Sequence, residues 1–195
     1  MTIGTKPLFH FTDIRNLQFI KEHGLLSLAE LNRRSIEIPA AGGNQWSHDA
    51  DYRMGLDEYV HLCFFNQHPM EFIAKRDGRI NESVFLKINP IVLQWEEVKV
   101  TLEVANKSGT KLLTLAQAME EIDSEIICKW TDWSNPDVQE RRQIAKKYEV
   151  LVPKIIPIEF ISNVYEKFIG EENQAKQGAY YTPLFLVDYI QQQTV

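Results

Sequence analysis

One acidic residue stands inside an apolar stretch late in the chain, and it constrains the fold more than any other feature. The stretch is residues 146–157, and the run from Tyr148 to Val152 has the aromatic and β-branched residues typical of a strand. Side chains alternate between the two faces of a strand, so Glu149 shares a face with Leu151 rather than with other charges. Two interpretations are open: a carboxylate in a functional site, or a solvated residue at a sheet edge paired with a neighbouring lysine.

A second candidate strand lies near the N terminus, at residues 8–12, and carries His10 and Thr12. Asp13 follows directly and can cap a helix that stops at Gly24, because Asp favours the start of a helix and Gly its end. The pattern predicts a strand that delivers two polar side chains to a helix start. For His10 the alternative is a core histidine satisfied by backbone groups.

Between these strands the chain alternates structured and irregular segments. Residues 35–56 are rich in turn-forming residues and predict a long irregular loop, a kind of segment that often carries function. Residues 121–138 predict a second loop, whose Trp130 and Trp133 either close a core lid or form a stacking platform for a base. The other predicted elements are helices at 28–34, 69–75, 114–119, 139–145 and 171–177, strands at 25–27, 59–65, 83–88, 98–104 and 160–165, a helical turn at 90–95 and a strand or amphipathic segment at 180–189.

Length and composition predict one domain. A chain of 195 residues that is 44% hydrophobic can bury a substantial core, and a single domain over residues 1–195 is expected. Its apolar runs are too short to cross a bilayer and its start lacks a secretory signal pattern, so a cytoplasmic protein with no membrane partner is expected. Cys63 and Cys128 lie far apart without a CxxC motif, so ordinary thiols and no metal site are expected.

Charge and motifs exclude several classes of function. The net charge is −6, and proteins that neutralise many phosphates usually carry a basic excess, so tight non-specific nucleic-acid binding is disfavoured. Small basic clusters still permit a modest contact with a single strand. The chain has no GxxxxGK[ST], GxGxxG, HExxH or GxSxG motif, which removes the commonest phosphoryl-transfer, dinucleotide-fold, zinc-protease and hydrolase interpretations.

Several short segments follow one another in an order that carries a resemblance. They read LFHFTDIRNL and IKEHGLLS, then DEYVHLCFF with HPM, and finally KYEVLVP with IPIEFI. In this order they resemble the DarT family of nucleic-acid ADP-ribosyltransferase toxins, over roughly residues 7–165. The specificity lies in the ordered combination, since an H-x-T strand or a lone Glu before an apolar strand recurs by chance.

The resemblance implies an α+β, ADP-ribosyltransferase-like fold, with two small, mostly antiparallel sheets, peripheral helices and a central NAD cleft. In that family an H-x-T strand helps to hold NAD, an early Arg contacts NAD and supports catalysis, and a Glu on a late strand is catalytic. Carried over, the NAD-binding residues are His10, Thr12, Arg53 and Tyr59, and the catalytic residues are Glu149 and Arg53.

The implied activity moves ADP-ribose from NAD, a co-substrate used without a metal, to a nucleobase of single-stranded DNA or RNA. A carboxylate that accepts a hydrogen bond from the ribose 2′-OH stabilises the oxocarbenium-like state as the nicotinamide bond breaks, and Glu149 could also take the proton of the attacking group. Trp130 and Trp133 would bind the substrate. Because such an activity harms its own cell, an antitoxin protein and a role in phage defence are expected.

The chain departs from the family pattern at three points. The family's aromatic strand commonly reads YVPFYF where this chain has YVHLCFF, and Tyr148 stands where Ala usually precedes the catalytic Glu. Arg33 or Arg34 could fill the role assigned to Arg53, which could equally be a solvated loop residue. These differences bear on the substrate more than on the chemistry.

Two other functions stay open. Transfer of ADP-ribose to protein or to a small molecule suits the acidic charge, and a non-enzymatic binding module could use the same scaffold. The enzymatic interpretation makes one spatial demand, namely that His10 and Glu149 lie in a single cleft.

Overall fold

Antiparallel pairing organises the strands of this protein. A computed structural model describes residues 3–129, 132 and 134–162. The strands in this part of the chain are β1 (Leu8–Asp13), β2 (Leu25–Leu26), β3 (Tyr59–Cys63), β4 (Ser83–Ile88), β5 (Lys99–Thr101), β6 (Glu149–Pro153), β7 (Ile155–Ile156) and β8 (Ile161–Ser162). Six of them form one sheet in the order β5-β6-β3-β1-β4-β8, while β2 and β7 form a separate two-stranded sheet. Every pairing is antiparallel.

Short helices connect these strands. They are α1 (Leu17–His23), α2 (Leu28–Arg33), α3 (Gln45–Met54), α4 (Pro69–Arg76), α5 (Leu115–Glu121), α6 (Ser124–Cys128) and α7 (Pro136–Ala145), with 3₁₀ turns at Ile3–Thr5, Ile14–Asn16, Leu56–Glu58, Pro90–Gln94 and Ile158–Phe160. None of the described helices is long and apolar enough to span a membrane. Helices and two antiparallel sheets together give the α+β architecture that the sequence predicts.

The strand that carries Glu149 is buried on both faces. Val150 and Val152 pack into the main hydrophobic core, whereas Leu151 packs with Leu56 and Ala105 in a small second cluster. This division confirms the predicted alternation along the strand. Glu149 therefore lies on the face opposite the main core, on the side of the second cluster.

Two local features fix the path of the chain after β1. The carboxylate of Asp13 accepts the backbone N–H of Arg15 at 2.9 Å and that of Asn81 at 2.8 Å, and the Arg15 guanidinium binds both of its oxygens. The predicted cap is thus confirmed. After α1, Gly24 adopts a φ of +76°, and a Cβ there would lie 2.8 Å from the carbonyl oxygen of Ile156, so the turn into β2 requires glycine.

Most predicted elements are present, and two predicted loops are wrong. Residues 35–56 contain the ten-residue helix α3, and residues 121–138 contain α6. The first error arose because α3 buries only Ser47 and Ala50, so it has little apolar periodicity to read. Its boundary signals were nevertheless present in the sequence, since Asn44 caps its start and Gly55 ends it at a positive φ of +67°.

Several predictions fall outside the described residues. They are the two tryptophans Trp130 and Trp133, the part of the last predicted strand beyond residue 162, and the elements predicted at 171–177 and 180–189.

Candidate functional site

A cleft of about 250 Å³ draws its walls from both sheets and from α3. His10 reaches it from β1, Tyr59 from β3 and Glu149 from β6, which are three adjacent strands in the middle of the sheet. Thr12 on β1 lines it as well. The spatial demand made by the sequence is met, because His10 and Glu149 share one cleft.

The surroundings of Glu149 rule out the sheet-edge interpretation. Its strand β6 lies between β5 and β3, and Glu149 itself pairs with Thr101 on one side and Cys63 on the other. The residue is only 4% exposed, and its ion-pair partners are histidines rather than lysines. A carboxylate buried at this depth needs charge partners and hydrogen bonds to stay ionised.

His61 provides the closest of these partners. Its Nδ1 donates to Oε2 of Glu149 at 2.8 Å, and its Nε2 lies 3.4 Å from the carbonyl oxygen of Leu56. Both ring nitrogens face acceptors, which is the arrangement of a protonated imidazolium. Burial lowers the pKa of His61, but the hydrogen bond and charge of Glu149, with the charge of Asp51, raise it to about 9.

The same contact acts on the carboxylate. Burial raises the pKa of Glu149, but the hydrogen bond and charge of His61, together with the neighbouring His68 ring, outweigh it and lower the pKa to about 2. Glu149 and His61 therefore form an ion pair at neutral pH. A carboxylate in this state stabilises positive charge well and takes up a proton poorly.

His68 approaches the second oxygen of the same carboxylate. Its Nδ1 accepts the backbone N–H of Met70 at 3.3 Å, so the ring proton sits on Nε2. Phe11 stacks on the ring with centroids 6.0 Å apart. Nε2 lies 3.4 Å from Oε1 of Glu149 and has no hydrogen-bond partner among the described residues. Oε1 thus keeps the capacity to accept a hydrogen bond from a ligand.

His10 is held in the opposite protonation state. Its Nδ1 donates to the backbone carbonyl of His61 at 2.9 Å, which leaves Nε2 as an acceptor in the neutral ring. Burial lowers the pKa of His10, the backbone hydrogen bond opposes this, and the neighbouring His61 and His68 rings lower it further, to about 4. His10 is a neutral hydrogen-bond acceptor at pH values near 7.

Thr12 is tied to the loop that precedes α3. Its hydroxyl oxygen accepts from the side-chain amide of Asn16 at 3.0 Å. The same amide bonds both backbone groups of Ala40, as a donor at 2.6 Å and as an acceptor at 3.0 Å. The hydroxyl proton of Thr12 remains available for a ligand in the cleft.

The predicted arginine does not join these residues. Arg53 is exposed on the last turn of α3, where its Nε donates to the carbonyl oxygen of Asp49 at 3.2 Å, and it is not part of the cleft wall. Arg33 pairs with Glu30 and Glu58, and Arg34 also pairs with Glu30. Within the described part of the chain, Arg53 is the candidate arginine that has no carboxylate partner.

Sequence reasoning missed three titratable cleft residues that interact with Glu149, namely Asp51, His61 and His68. Asp51 reaches the wall from α3, which the sequence did not predict as a helix. His61 contacts Glu149 diagonally across β3 and β6, because the residue directly opposite Glu149 is Cys63. The sequence did show that His61 and Cys63 share one face of β3. That pattern alone could not identify His61 as a partner of Glu149, because the register of β3 against β6 was unknown.

The described residues offer no metal centre. No group of three or more His, Cys, Asp or Glu side chains among them could hold a metal ion. Cys63 and Cys128 are buried free thiols, as predicted.

Comparisons with known proteins agree with this architecture. The chain is similar to Thermosipho africanus DarTG, solved in complex with ADP-ribose, with a TM-score of 0.63 and 20% identity over 86% of this chain and 48% of that one. It is similar to Thermus sp. 2.9 DarT in complex with ADP-ribosylated ssDNA, with a TM-score of 0.61 and 18% identity over 91% of each chain. The same Thermus protein in complex with NAD+ gives a TM-score of 0.55 at 19% identity, over 91% of this chain and 92% of that one.

The sequence comparisons assign the family. A DNA ADP-ribosyl transferase-DNA ADP-ribosyl glycohydrolase fusion protein of Thermosipho africanus is 25% identical over 167 residues, which are 82% of this chain but only 42% of the relative. The family model described as "ssDNA thymidine ADP-ribosyltransferase, DarT" matches residues 9–177, which is most of the chain. The protein whose cleft joins His10 and Glu149 belongs to the DarT family.

Proposed function

We propose that this protein transfers ADP-ribose from NAD to thymidine in single-stranded DNA. The observation that carries the proposal is the ionised, buried Glu149 in the same cleft as the neutral His10. The description of the family names ADP-ribosyl transfer and thymidine in ssDNA, and similar structures of Thermus sp. 2.9 DarT contain ADP-ribosylated ssDNA or NAD+.

Glu149 acts on the bond that breaks. In the transfer, the bond between ribose C1′ and the nicotinamide nitrogen breaks, and its electron pair leaves with nicotinamide. Positive charge then develops on the ribose, and Oε1 of Glu149 accepts a hydrogen bond from the 2′-OH that strengthens as this charge grows. Oε1 is suited to this role because Oε2 is already engaged by His61.

A different group takes the proton that the acceptor base releases. The base forms a new bond to C1′ and loses its N–H proton, and a carboxylate with a pKa as low as that of Glu149 is a weak acceptor for it. Asp51 lies in the same cleft. Burial is the strongest of the effects on its pKa and raises it. Its Oδ1 is buried and has no hydrogen-bond partner in the described part of the chain. Asp51 is the proton acceptor in this scheme.

The remaining predicted residues hold NAD. His10 presents Nε2 as an acceptor for a ribose hydroxyl, and Thr12 donates its hydroxyl proton, because its oxygen already accepts from Asn16. Tyr59 contributes to the wall of the cleft. Arg53 contacts the pyrophosphate where the dinucleotide leaves the cleft, and its freedom from carboxylate partners in the described part of the chain supports this role over Arg33 or Arg34.

A second protein completes the proposed role. One relative joins an ADP-ribosyl transferase and an ADP-ribosyl glycohydrolase in a single chain. An enzyme that modifies DNA would be toxic in its own cell, so we expect a partner that removes ADP-ribose from DNA or blocks the cleft. We expect expression of the wild-type protein to be toxic to the host cell and Glu149→Gln to relieve that toxicity.

The acceptor is tested directly with labelled NAD. Wild-type protein is incubated with single-stranded oligonucleotides with and without thymidine, with RNA of matching sequence and with cell lysate. We expect label on thymidine-containing DNA alone. Label on RNA would show that the acceptor is RNA rather than DNA. Label on protein or small molecules would favour the alternative acceptors, which suit the net charge of −6. The absence of NAD turnover with every acceptor would favour a binding module.

A further inference from the structure

We propose that His61 is a positioning residue that fixes the orientation and the ionised state of the Glu149 carboxylate through its Nδ1–Oε2 hydrogen bond of 2.8 Å. The proposal rests on the transfer activity proposed above. His61 acts through Glu149 and needs no contact with NAD or with the acceptor base.

The geometry of His61 suits a residue that orients another. The ring is bonded on both sides, by the carboxylate at Nδ1 and by the carbonyl of Leu56 at Nε2. Its backbone carbonyl accepts the hydrogen bond from His10, so β1, β3 and β6 are connected through one residue. Because both ring nitrogens are bonded, the ring is already fixed and loses little entropy when it orients the Glu149 carboxylate.

The contact also decides the charge of the cleft. Glu149 is buried to 4% exposure beside apolar strands, and burial alone favours the neutral acid. A neutral carboxyl group cannot stabilise the positive charge that develops on the ribose. His68 is the weaker of the two partners, because its Nε2 lies 3.4 Å from Oε1, whereas Nδ1 of His61 lies 2.8 Å from Oε2.

The titratable neighbours of His61 come from four parts of the chain. Glu149 faces it from β6, Asp51 from α3 and His10 from β1, while His68, which precedes α4, faces the second oxygen of Glu149. The two acidic neighbours favour the imidazolium, and the neutral His10 ring places no charge against it. Because the hydrogen-bonded Glu149 is the nearest of the four, His61 stays protonated through neutral pH.

The test replaces the ring in two ways in the full chain. His61→Leu removes the donor and the charge, whereas His61→Asn keeps a neutral N–H donor close to the position of Nδ1. For each variant, kcat at saturating NAD and oligonucleotide is measured between about pH 5 and pH 9, and binding of an uncleavable carba analogue of NAD is measured in parallel.

The two variants should differ in a defined way. Without His61, burial should raise the pKa of Glu149 above its usual range, so kcat at pH 7 should fall by about tenfold in His61→Leu and recover at alkaline pH. Binding of the carba analogue should stay within about twofold. His61→Asn should recover most of the lost kcat. A fall by the same factor at every pH, or no fall, would overturn the positioning role.

A readout without turnover separates this proposal from the function on which it rests. Infrared difference spectra against Glu149→Gln report whether the Glu149 carboxyl group is ionised at neutral pH. We expect an ionised group in the wild type and a protonated group in His61→Leu. An ionised group in both proteins overturns the proposal even if transfer is observed, whereas the expected spectra support it even if no acceptor is labelled. Should His61→Leu fail to fold, His61→Asn takes its place in the comparison. We then expect kcat to fall on the acidic side at a higher pH than in the wild type.

Discussion

Glu149 and Asp51 lie in one cleft, and their surroundings shift their pKa values in opposite directions. His61 lowers the pKa of Glu149, and burial raises the pKa of Asp51. Environments that separate the pKa values of two acids allow one to stabilise charge and the other to move protons. In the proposed mechanism, Glu149 at the centre of the sheet stabilises charge and Asp51 on the helix beside it accepts the proton.

The role of Asp51 is tested by its amide. Asp51→Asn keeps the shape of the side chain but removes the proton acceptor, so kcat for transfer should fall by about a hundredfold, with little change in NAD binding. Asp49→Asn is the matched control, because Asp49 lies on the same helix but is exposed and outside the cleft wall. Equal activity of the two variants would remove Asp51 from the mechanism.

Stability should depend on pH in two directions. The pKa of His10 is about 4 in the fold against 6.5, so below pH 6.5 the unfolded chain binds a proton that the folded chain refuses, and the free energy of unfolding falls as pH drops towards 4. The pKa of His61 is about 9 against 6.5, so its stabilisation is complete below pH 6.5 and is lost as pH rises through 9. Thermal melting across this range should flatten on the acidic side in His10→Gln and on the alkaline side in His61→Asn. Unchanged slopes in both variants would contradict these assignments.

Sequence reasoning could identify single residues at this scale but not their contacts. Glu149 was conspicuous because it interrupts an apolar alternation, and the H-x-T pattern marked His10 and Thr12. His61 entered only as a departure from a family pattern. Its importance depends on the register of β3 against β6, which places Cys63 opposite Glu149 and His61 on the diagonal. No local pattern encodes that register.

At the scale of elements, α3 delivers Ser47, His48 and Asp51 to the cleft although it buries little apolar surface. Such a helix depends on its ends, since propensity and packing contribute little. The side chain of Asn44 accepts the backbone N–H of Ser47 at 2.9 Å, and Gly55 closes the helix in a left-handed conformation. The helix was missed from sequence for the same reason, because its signals lie at its boundaries rather than in its periodicity.

The N-cap of α3 can be tested by substitution. Asn44→Ala removes the capping acceptor and should lower the free energy of unfolding by about 1 kcal/mol, whereas Asn44→Asp keeps an acceptor and should change it little. Chemical denaturation of the two variants measures the difference. Equal loss in both would show that the side-chain cap does not stabilise the helix.

At the scale of the whole molecule, the order of strands creates the site. β1, β3 and β6 are far apart in sequence and adjacent in the sheet, and they bring His10, His61 and Glu149 into one connected group. The strands could be predicted from alternation, but their order could not, because it depends on long-range pairing that no short segment specifies. The family resemblance predicted a cleft shared by His10 and Glu149, but not the order of the strands that form it.

The acidic charge of the whole chain fits a site that works through local contacts. A net charge of −6 gives little long-range attraction for DNA, so recognition has to come from the cleft and its rim. The central claim is correspondingly local, namely that the Glu149 carboxylate in this cleft carries the transfer reaction.

The most direct measurement of that claim compares Glu149→Gln with Glu159→Gln, the same change at an exposed glutamate. Transfer of labelled ADP-ribose to thymidine-containing single strands is followed in both, with cooperative unfolding and binding of the carba analogue of NAD as controls for the fold. We predict a loss of about a hundredfold or more in Glu149→Gln and wild-type activity in Glu159→Gln. Transfer by Glu149→Gln at the wild-type rate would contradict the account.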